Sequence, residues 1–261
     1  MRILLTNDDG FFAPGISSLY EVLSSEGGHE IYIVAPEGQR SATGRSITIF
    51  QPLFVTPYQL KNKTDFGLAV NGTPTDCVKL AIQGDILPQK PDLLIAGINE
   101  GPNLGTDVFY SGTVAAAMEG VLLGIPSIAV SLADYDYKNF YPSAYFIKDF
   151  IIHYQDLVFN TDGLLNINFP GGEQKEWTGV RITKLGKTVY HNDFERRKAP
   201  YGKDYFWISG NLKTSQEEGT DLKTIQERAV SITPLHGDLS DYKRIKSLQE
   251  QQFAISLGSK G

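Results

Sequence analysis

The sequence has a single cysteine, Cys77, among 261 residues and so cannot form an internal disulfide. A secreted scaffold held together by disulfides is thereby excluded. We interpret Cys77 as a small buried apolar residue. The first residues lack a signal-peptide pattern as well, because a five-residue apolar run leads directly into Asp8 and Asp9. We therefore expect a cytoplasmic protein.

Long apolar runs and excess positive charge are also missing. The longest apolar stretch, residues 121–132, contains Gly124, Pro126 and two serines, and it is too short to span a bilayer. The net charge is −6, which argues against polymeric nucleic acid or an anionic membrane as the main partner. A small anionic substrate stays compatible with this charge, because a bound cation can reverse the sign of one pocket.

Several enzyme signatures are absent. No G-x-G-x-x-G follows the first apolar run, and neither G-x-x-x-x-G-K-[ST] nor G-x-S-x-G occurs. An aspartyl-phosphate mechanism would need a D-x-D frame, but its first position is occupied by Asn7. The histidines are scattered without metal-ligand spacing, which argues against zinc; they are His29, His153, His191 and His236.

What the sequence does contain is a regular alternation of strands and helices. Apolar runs at residues 2–6, 30–35 and 92–98 are typical of buried parallel strands. The helical periodicity of residues 16–25 joins the first two runs into a strand-helix-strand unit, which should be a right-handed parallel crossover. Further strands are expected at residues 67–70, 127–130 and 164–169, further helices at 111–121 and 145–154, and excursion strands near a sheet edge within 47–58. The pattern predicts a doubly wound α/β core.

The character of the chain changes at residue 179. Residues 189–210 mix aromatic and charged side chains, and they predict a long β-hairpin arm that turns near residues 200–202. An exposed arm of this kind is expected to contact a partner subunit, and a flap over its own domain is the alternative. A strand at 180–184, a short helix at 220–227, a strand at 230–233 and a terminal helix at 240–251 complete the prediction.

Candidate metal ligands follow the ends of three predicted strands. Asp8 and Asp9 end the first strand, Asn99 ends another, and the loop at residues 38–45 offers hydroxyl groups. The carboxyl ends of parallel strands share one edge of a sheet, so these groups should meet there. Carboxylate, hydroxyl and amide oxygens suit Mg²⁺ or Mn²⁺. The alternative is an ordinary acidic turn that caps the next helix.

A candidate anion site lies at the start of a predicted helix. Ser111, Gly112 and Thr113 open that helix, where free N–H groups and the helix dipole favour phosphate. A cation held by two acids beside such a site is the arrangement that phosphoryl chemistry needs. Taken alone, Ser111 is better explained as an N-cap.

Six short motifs follow one another over nearly the whole chain: they are N-D-D-G at residues 7–10, R-S-A-T-G at 40–44, G-T-P-T-D-C at 72–77, G-I-N-E-G-P-N at 97–103, Y-S-G-T-V-A at 110–115 and V-S-I-T-P-L at 230–235. In this order they resemble the SurE family, stationary-phase survival proteins with 5′-nucleotidase activity. The resemblance implies a Rossmann-like, mostly parallel catalytic core over residues 1–178. It also implies a C-terminal extension over residues 179–261 that forms homodimers or homotetramers.

The resemblance further implies hydrolysis of nucleoside monophosphates, and in some members of short polyphosphate, with one divalent metal ion per subunit. Carried over by position, Asp8, Asp9, Ser41 and Asn99 would be the metal ligands, with Asp8 or Asp9 orienting the attacking water. Asn103 and residues 111–113 would hold the phosphate. The residues themselves do not distinguish Ser41 from Thr43 or Ser46. A nucleotide-binding or sensing module without turnover is the alternative function.

Overall fold

A computed structural model describes residues 1–25, 28–61, 65–159, 162–191, 194–208, 211–214 and 217–251. The strands are β1 (Arg2–Thr6), β2 (Glu30–Pro36), β3 (Val55–Tyr58), β4 (Phe66–Val70), β5 (Leu93–Glu100), β6 (Ser127–Leu132), β7 (Gly163–Phe169), β8 (Val180–Ile182), β9 (Thr188–His191), β10 (Phe194–Lys198), β11 (Asp204–Ile208), β12 (Asn211–Thr214) and β13 (Val230–His236). The helices are α1 (Pro14–Ser24), α2 (Pro74–Gln83), α3 (Gly112–Leu122), α4 (Tyr141–His153), α5 (Gln155–Phe159), α6 (Asp221–Gln226) and α7 (Tyr242–Gln249), and 3₁₀ turns occupy Gly105–Phe109 and Gln174–Glu176.

Nine of the strands form one sheet in the order β3-β4-β2-β1-β5-β6-β7-β13-β8. β1 lies parallel to both β2 and β5, and the pairs β2/β4, β5/β6, β6/β7 and β8/β13 are parallel as well. Only the β3/β4 and β7/β13 pairs of this sheet are antiparallel. The predicted doubly wound, mostly parallel α/β fold is confirmed.

The two faces of the sheet are covered by different helices, and alternate side chains of β1 pack against each set. Ile3 and Leu5 pack into the cluster that contains residues of α1 and α4, whereas Leu4 packs into the cluster that contains residues of α2 and α3. Successive side chains of a strand point to opposite faces, so a strand buried on both sides must be apolar throughout. No helix in the described part of the chain is long and apolar enough to cross a membrane.

Prolines explain where two helices begin. Pro14 starts α1 and Pro142 lies in the first turn of α4, positions at which the missing N–H costs nothing. α4 therefore begins four residues earlier than the predicted range of 145–154. The prediction for residues 47–58 was only partly right, because a strand forms at Val55–Tyr58 on the sheet edge and none forms over residues 47–54.

The predicted hairpin arm is present as two antiparallel ladders. β9 pairs with β12 at its base, and β10 pairs with β11 beyond it. The arm turns where the Gly202 N–H donates to the Ala199 carbonyl over 2.9 Å. Residues 192–193 and 209–210, which the prediction included, lie outside the described residues.

The rest of the C-terminal segment returns to the main sheet. β8 and β13 are strands of that sheet, and α7 forms within the predicted terminal helix. Residues 252–261 lie outside the described residues. That residues 1–178 form the catalytic core and residues 179–261 serve oligomerisation stays a prediction.

Substituting Gly15 should separate α1 from the sheet. A methyl group at Gly15 would lie 1.9 Å from the Ile98 carbonyl oxygen, so Gly15→Ala is expected to lower the free energy of unfolding by about 1–3 kcal/mol. Ser17→Ala, at an exposed position of the same helix, should change it by less than about 0.5 kcal/mol. Urea unfolding of both variants measures the difference. A Gly15→Ala protein as stable as Ser17→Ala would contradict this packing.

Candidate functional site

The first loop of the site, residues 7–10, is shaped by Asn7. Its side-chain amide donates to the Gly10 carbonyl over 2.9 Å, and its side-chain oxygen accepts the Gly10 N–H over 3.1 Å. Gly10 has a φ of +108°, and a Cβ there would lie 3.1 Å from the carbonyl carbon of Gly38. Both polar atoms of the Asn7 side chain are therefore used to hold the turn that carries Asp8 and Asp9.

Asp8 is buried against the start of α3. It is 3% exposed, and its Oδ1 accepts a hydrogen bond from the Thr113 hydroxyl. A Cβ at Gly112 would lie 2.9 Å from Asp8 Oδ2, so only glycine permits this approach. The Ser111 hydroxyl caps α3 by accepting the Val114 N–H over 3.1 Å. The Ser111 hydroxyl therefore acts as the N-cap of α3. Phosphate binding by residues 111–113 stays a prediction.

Asp9 joins the first loop to the third, residues 99–105. Its Oδ2 accepts the Glu100 N–H over 3.0 Å. Beside it, Asn99 is 9% exposed and donates from Nδ2 to the Gly101 carbonyl over 2.8 Å. This bond engages the amide nitrogen of Asn99, so its side-chain oxygen is the atom left for a cation. The structure therefore brings Asp8, Asp9 and Asn99 to one rim, at the carboxyl ends of β1 and β5.

The second loop, residues 37–46, forms backbone hydrogen bonds to the first loop and to the segment that precedes α3. The Arg40 N–H donates to the Asp8 carbonyl over 2.6 Å, and the Gly44 N–H donates to the Tyr110 carbonyl over 3.0 Å. Ser41 follows Arg40 directly, is exposed, and accepts a bond from the Gln39 side chain over 3.0 Å. The Thr43 hydroxyl is instead directed to the Arg40 carbonyl of its own loop over 2.9 Å.

A buried glutamate fixes the far end of this loop. Glu119 on α3 is 6% exposed and forms ion pairs with Arg45 over 3.2 Å and with Lys79 of α2 over 3.1 Å. A buried carboxylate needs such partners to offset its lost hydration. The Arg45 bond therefore attaches the loop that contains Ser41 to the helix that contacts Asp8.

Asn103 is held by three residues that the sequence interpretation missed. Its N–H donates to Asn168 Oδ1 over 2.9 Å, and its side-chain amide donates to the Ser131 hydroxyl over 2.7 Å. The side-chain amides of Asn166 and Asn168 both donate to its carbonyl, over 2.9 and 3.1 Å. The available signal was two alternating asparagines within the apolar strand at residues 164–169. Asn103 is fixed, and its role toward phosphate stays a prediction.

Burial raises the pKa of both aspartates, and at Asp9 the charge of nearby Lys138 offsets this effect only in part. Burial raises the pKa of Asp8, although the Thr113 hydroxyl and the α3 N–H groups act in the opposite direction. Burial also raises the pKa of Asp9 to about 6, with the Glu100 N–H lowering it and the Asp8 charge raising it further. Lys138 is paired with Glu100. No lysine or arginine in the described ranges forms an ion pair with Asp8 or Asp9.

A divalent cation fits this donor set. Two acidic side chains with raised pKa values gain from a positive charge, and neutral oxygens from Asn99 and the second loop lie on the same rim. Within the residues that the structure describes, no group of three or more histidines, cysteines, aspartates or glutamates could hold a metal. Two carboxylates and neutral oxygens are the ligands that a hard cation such as Mg²⁺ or Mn²⁺ prefers.

Comparisons with known proteins agree with this arrangement. The family model described as survival protein SurE matches residues 3–192. A protein of Desulfitobacterium hafniense named 5′-nucleotidase SurE is 57% identical over 250 residues, covering 96% of each chain. One of Pelotomaculum thermopropionicum with the same name is 47% identical over 252 residues, covering 96% of this chain and 95% of the relative.

The fold has a solved counterpart in the SurE protein of Aquifex aeolicus. The two chains superpose with a TM-score of 0.78 at 39% identity, over 95% of this chain and 98% of that one. The order of the motifs, the geometry of the rim and these matches lead to the same assignment. The chain belongs to the SurE family.

Proposed function

We propose that this chain is a metal-dependent 5′-nucleotidase, a phosphomonoesterase that hydrolyses nucleoside monophosphates to nucleoside and phosphate. The observation that carries the proposal is the pair of adjacent carboxylates with raised pKa values, Asp8 buried against the start of α3 and Asp9 partly exposed beside it. Its relatives at up to 57% identity are named 5′-nucleotidases. Activity on 3′-monophosphates or short polyphosphate is a finer proposal, which the same assay addresses.

The proposed ligands of one Mg²⁺ or Mn²⁺ ion are Asp8, Asp9, Ser41 and Asn99. Such an ion, when bound, offsets phosphate charge and lowers the pKa of water. Asp8 or Asp9 would also orient the attacking water by accepting its proton in a hydrogen bond. Asn103 and the start of α3, with Ser111, Gly112 and Thr113, would hold the phosphate.

The neutral groups of the rim support this division of roles. The Asn7 side chain and the asparagines around Asn103 hold the loops without adding charge. A nucleotide phosphate can therefore approach a centre whose net charge is set by the two aspartates and the cation. We propose a cytoplasmic location, since one cysteine in 261 residues fits a reducing compartment.

Phosphate release should depend on added metal. Wild-type protein incubated with a panel of 5′- and 3′-nucleoside monophosphates is expected to release phosphate with Mn²⁺ or Mg²⁺ and to stop when chelator is added. Asp8→Asn and Asp9→Asn should lower kcat by about 100-fold or more while the circular dichroism spectrum is unchanged. Glu37→Gln, at the exposed first residue of the second loop, is the control and should leave kcat unchanged.

Either result of this assay is informative. Wild-type rates from both aspartate variants would contradict the metal assignment. Folded protein that binds a nucleotide with metal but forms no product would favour the alternative, a nucleotide-binding or sensing module.

Asp9→Asn should stabilise the protein in chelator. The pKa of Asp9 is raised from 3.8 to about 6, so folding disfavours its charged form. That cost is present above pH 6 and disappears as the pH falls through 6 toward the unfolded value. In chelator at about pH 7.5 the variant should gain about 1 kcal/mol in the free energy of unfolding, because partial exposure reduces the full effect of the shift.

Urea unfolding as a function of pH tests this expectation. The difference between variant and wild type should shrink toward about pH 4, where both side chains are neutral. Adding Mn²⁺ at about pH 7.5 should raise the melting temperature of the wild type but not of the variant. A variant that is less stable than wild type in chelator at neutral pH would contradict the electrostatic account.

We also propose that the hairpin arm joins subunits into a dimer or tetramer. β10 and β11 form a two-stranded sheet with large exposed side chains, including Phe194, Tyr201, Phe206, Trp207 and Ile208. Apolar surface of this kind is typical of subunit interfaces.

Deleting residues 194–208 should lower the mass of the particle in solution. Light scattering on eluted protein measures that mass, and Lys198→Ala, which retains every aromatic residue, serves as the control. An unchanged mass after the deletion would remove the arm from assembly.

A further inference from the structure

Asp221 lies in the C-terminal segment but reaches the loop that carries Asn99 and Asn103. We propose that Asp221 is a positioning residue that holds this third loop, residues 99–105, in the conformation that receives substrate. The inference rests on the proposed function, because it assigns Asp221 a role in the same reaction. The chemistry itself does not involve its carboxylate.

The Asp221 carboxylate connects three segments of the chain. It is 0% exposed, and its Oδ2 accepts the Gly105 N–H over 2.7 Å. Its Oδ1 accepts the N–H groups of Gly186 and Leu222, each over 2.8 Å. Hydrogen bonds from N–H groups to an ionised carboxylate are stronger than those between neutral groups. Both oxygens are therefore used to hold backbone.

The segments approach so closely that glycine is required where they meet. Gly105 has a φ of +54°, and a Cβ there would lie 2.8 Å from the Gly186 carbonyl oxygen. A Cβ at Gly186 would lie 2.6 Å from a methyl carbon of Leu222. Such contacts leave little room for another path of the loop backbone. The Asp221 carboxylate, which accepts the Gly105 N–H, holds the backbone in this close approach.

A second contact joins the same loop region to the base of the arm. The Thr106 hydroxyl donates to the Thr188 carbonyl over 3.0 Å and accepts the Thr188 N–H over 3.0 Å. Thr188 begins β9, and Thr106 lies in the 3₁₀ turn that leads to Ser111 and α3. The third loop is thus held by Asn168 on the side of β7 and by Asp221 and Thr188 on the side of the C-terminal segment.

This placement predicts which kinetic constant responds. Asp221 bonds the backbone two residues after Asn103, the proposed phosphate contact, and the N–H groups that it accepts belong to Gly105, Gly186 and Leu222. Gly105 is two residues from Asn103, whereas Asn99 is held within β5, so the loss of Asp221 should disturb nucleotide binding and leave metal binding intact. A residue that contributes only to general stability would lower the folded fraction without changing KM.

The test is Asp221→Asn in the full chain. One carboxylate oxygen becomes an NH₂ group that must face a backbone N–H, so we expect KM for a nucleoside monophosphate to rise about tenfold. We expect kcat to change by less than about threefold and Mn²⁺ affinity without nucleotide, measured by calorimetry, to change by less than about twofold. Amide exchange at residues 103–106 should become faster.

Thr220→Val is the matched control. Thr220 caps the same helix, α6, by accepting the Lys223 N–H over 3.3 Å, and it makes no hydrogen bond to the third loop. Its loss should lower the melting temperature but leave KM and exchange at residues 103–106 unchanged. Thr106→Val, which removes the second contact, is the independent variant and should raise KM in the same direction as Asp221→Asn.

The outcomes separate this inference from the proposed function. Unchanged KM and unchanged exchange in Asp221→Asn, or effects that match those of Thr220→Val, would overturn it. If Asp221→Asn does not fold, a raised KM in Thr106→Val supports the inference and an unchanged KM overturns it. If the wild type releases no phosphate, the proposed function fails, and the exchange measurement alone then decides whether Asp221 holds the loop.

Discussion

The contact between Asp8 and the start of α3 is the constraint on which the rest of the site depends. A carboxylate that is almost fully buried must be compensated, and here the Thr113 hydroxyl and the N–H groups of Gly112 and Thr113 compensate it only in part. Gly112 is necessary because a side chain would collide with Asp8. The remaining cost is what a cation bound at the proposed site would relieve.

The order of the strands brings the other loops of the site to the same place as this contact. Because β1 lies between β2 and β5, the loops that follow these strands leave the same edge of the sheet on either side of Asp8. Backbone bonds then lock the loops together, from Arg40 to the Asp8 carbonyl and from Glu100 to the Asp9 side chain. The positions of the proposed ligands are therefore set largely by backbone hydrogen bonds and by strand order.

The fold and the rim could be predicted from the sequence because each rests on a local signal. Apolar runs that end in Asp8-Asp9 and in Asn99 indicate parallel strands and place polar groups at their ends. Ser41 could be selected only by resemblance, since loop geometry decides which hydroxyl group is available. The roles of Asn168 and Asp221 were not predictable, because their partners lie 65 and 116 residues away in the chain. Periodicity carries no information about contacts at that separation.

The distribution of charge around the rim explains why so many of its supports are neutral. Glu119 and Glu100 are paired with Arg45, Lys79 and Lys138, so these charges are already compensated. The first loop and Asn103 are held by amide and hydroxyl groups. A lysine placed beside Asp8 or Asp9 would relieve their burial cost permanently and would compete with a cation for the same oxygens. Asp8 and Asp9 have no ion-pair partner among the described residues, and a pair of carboxylates in that state would gain most from a bound cation.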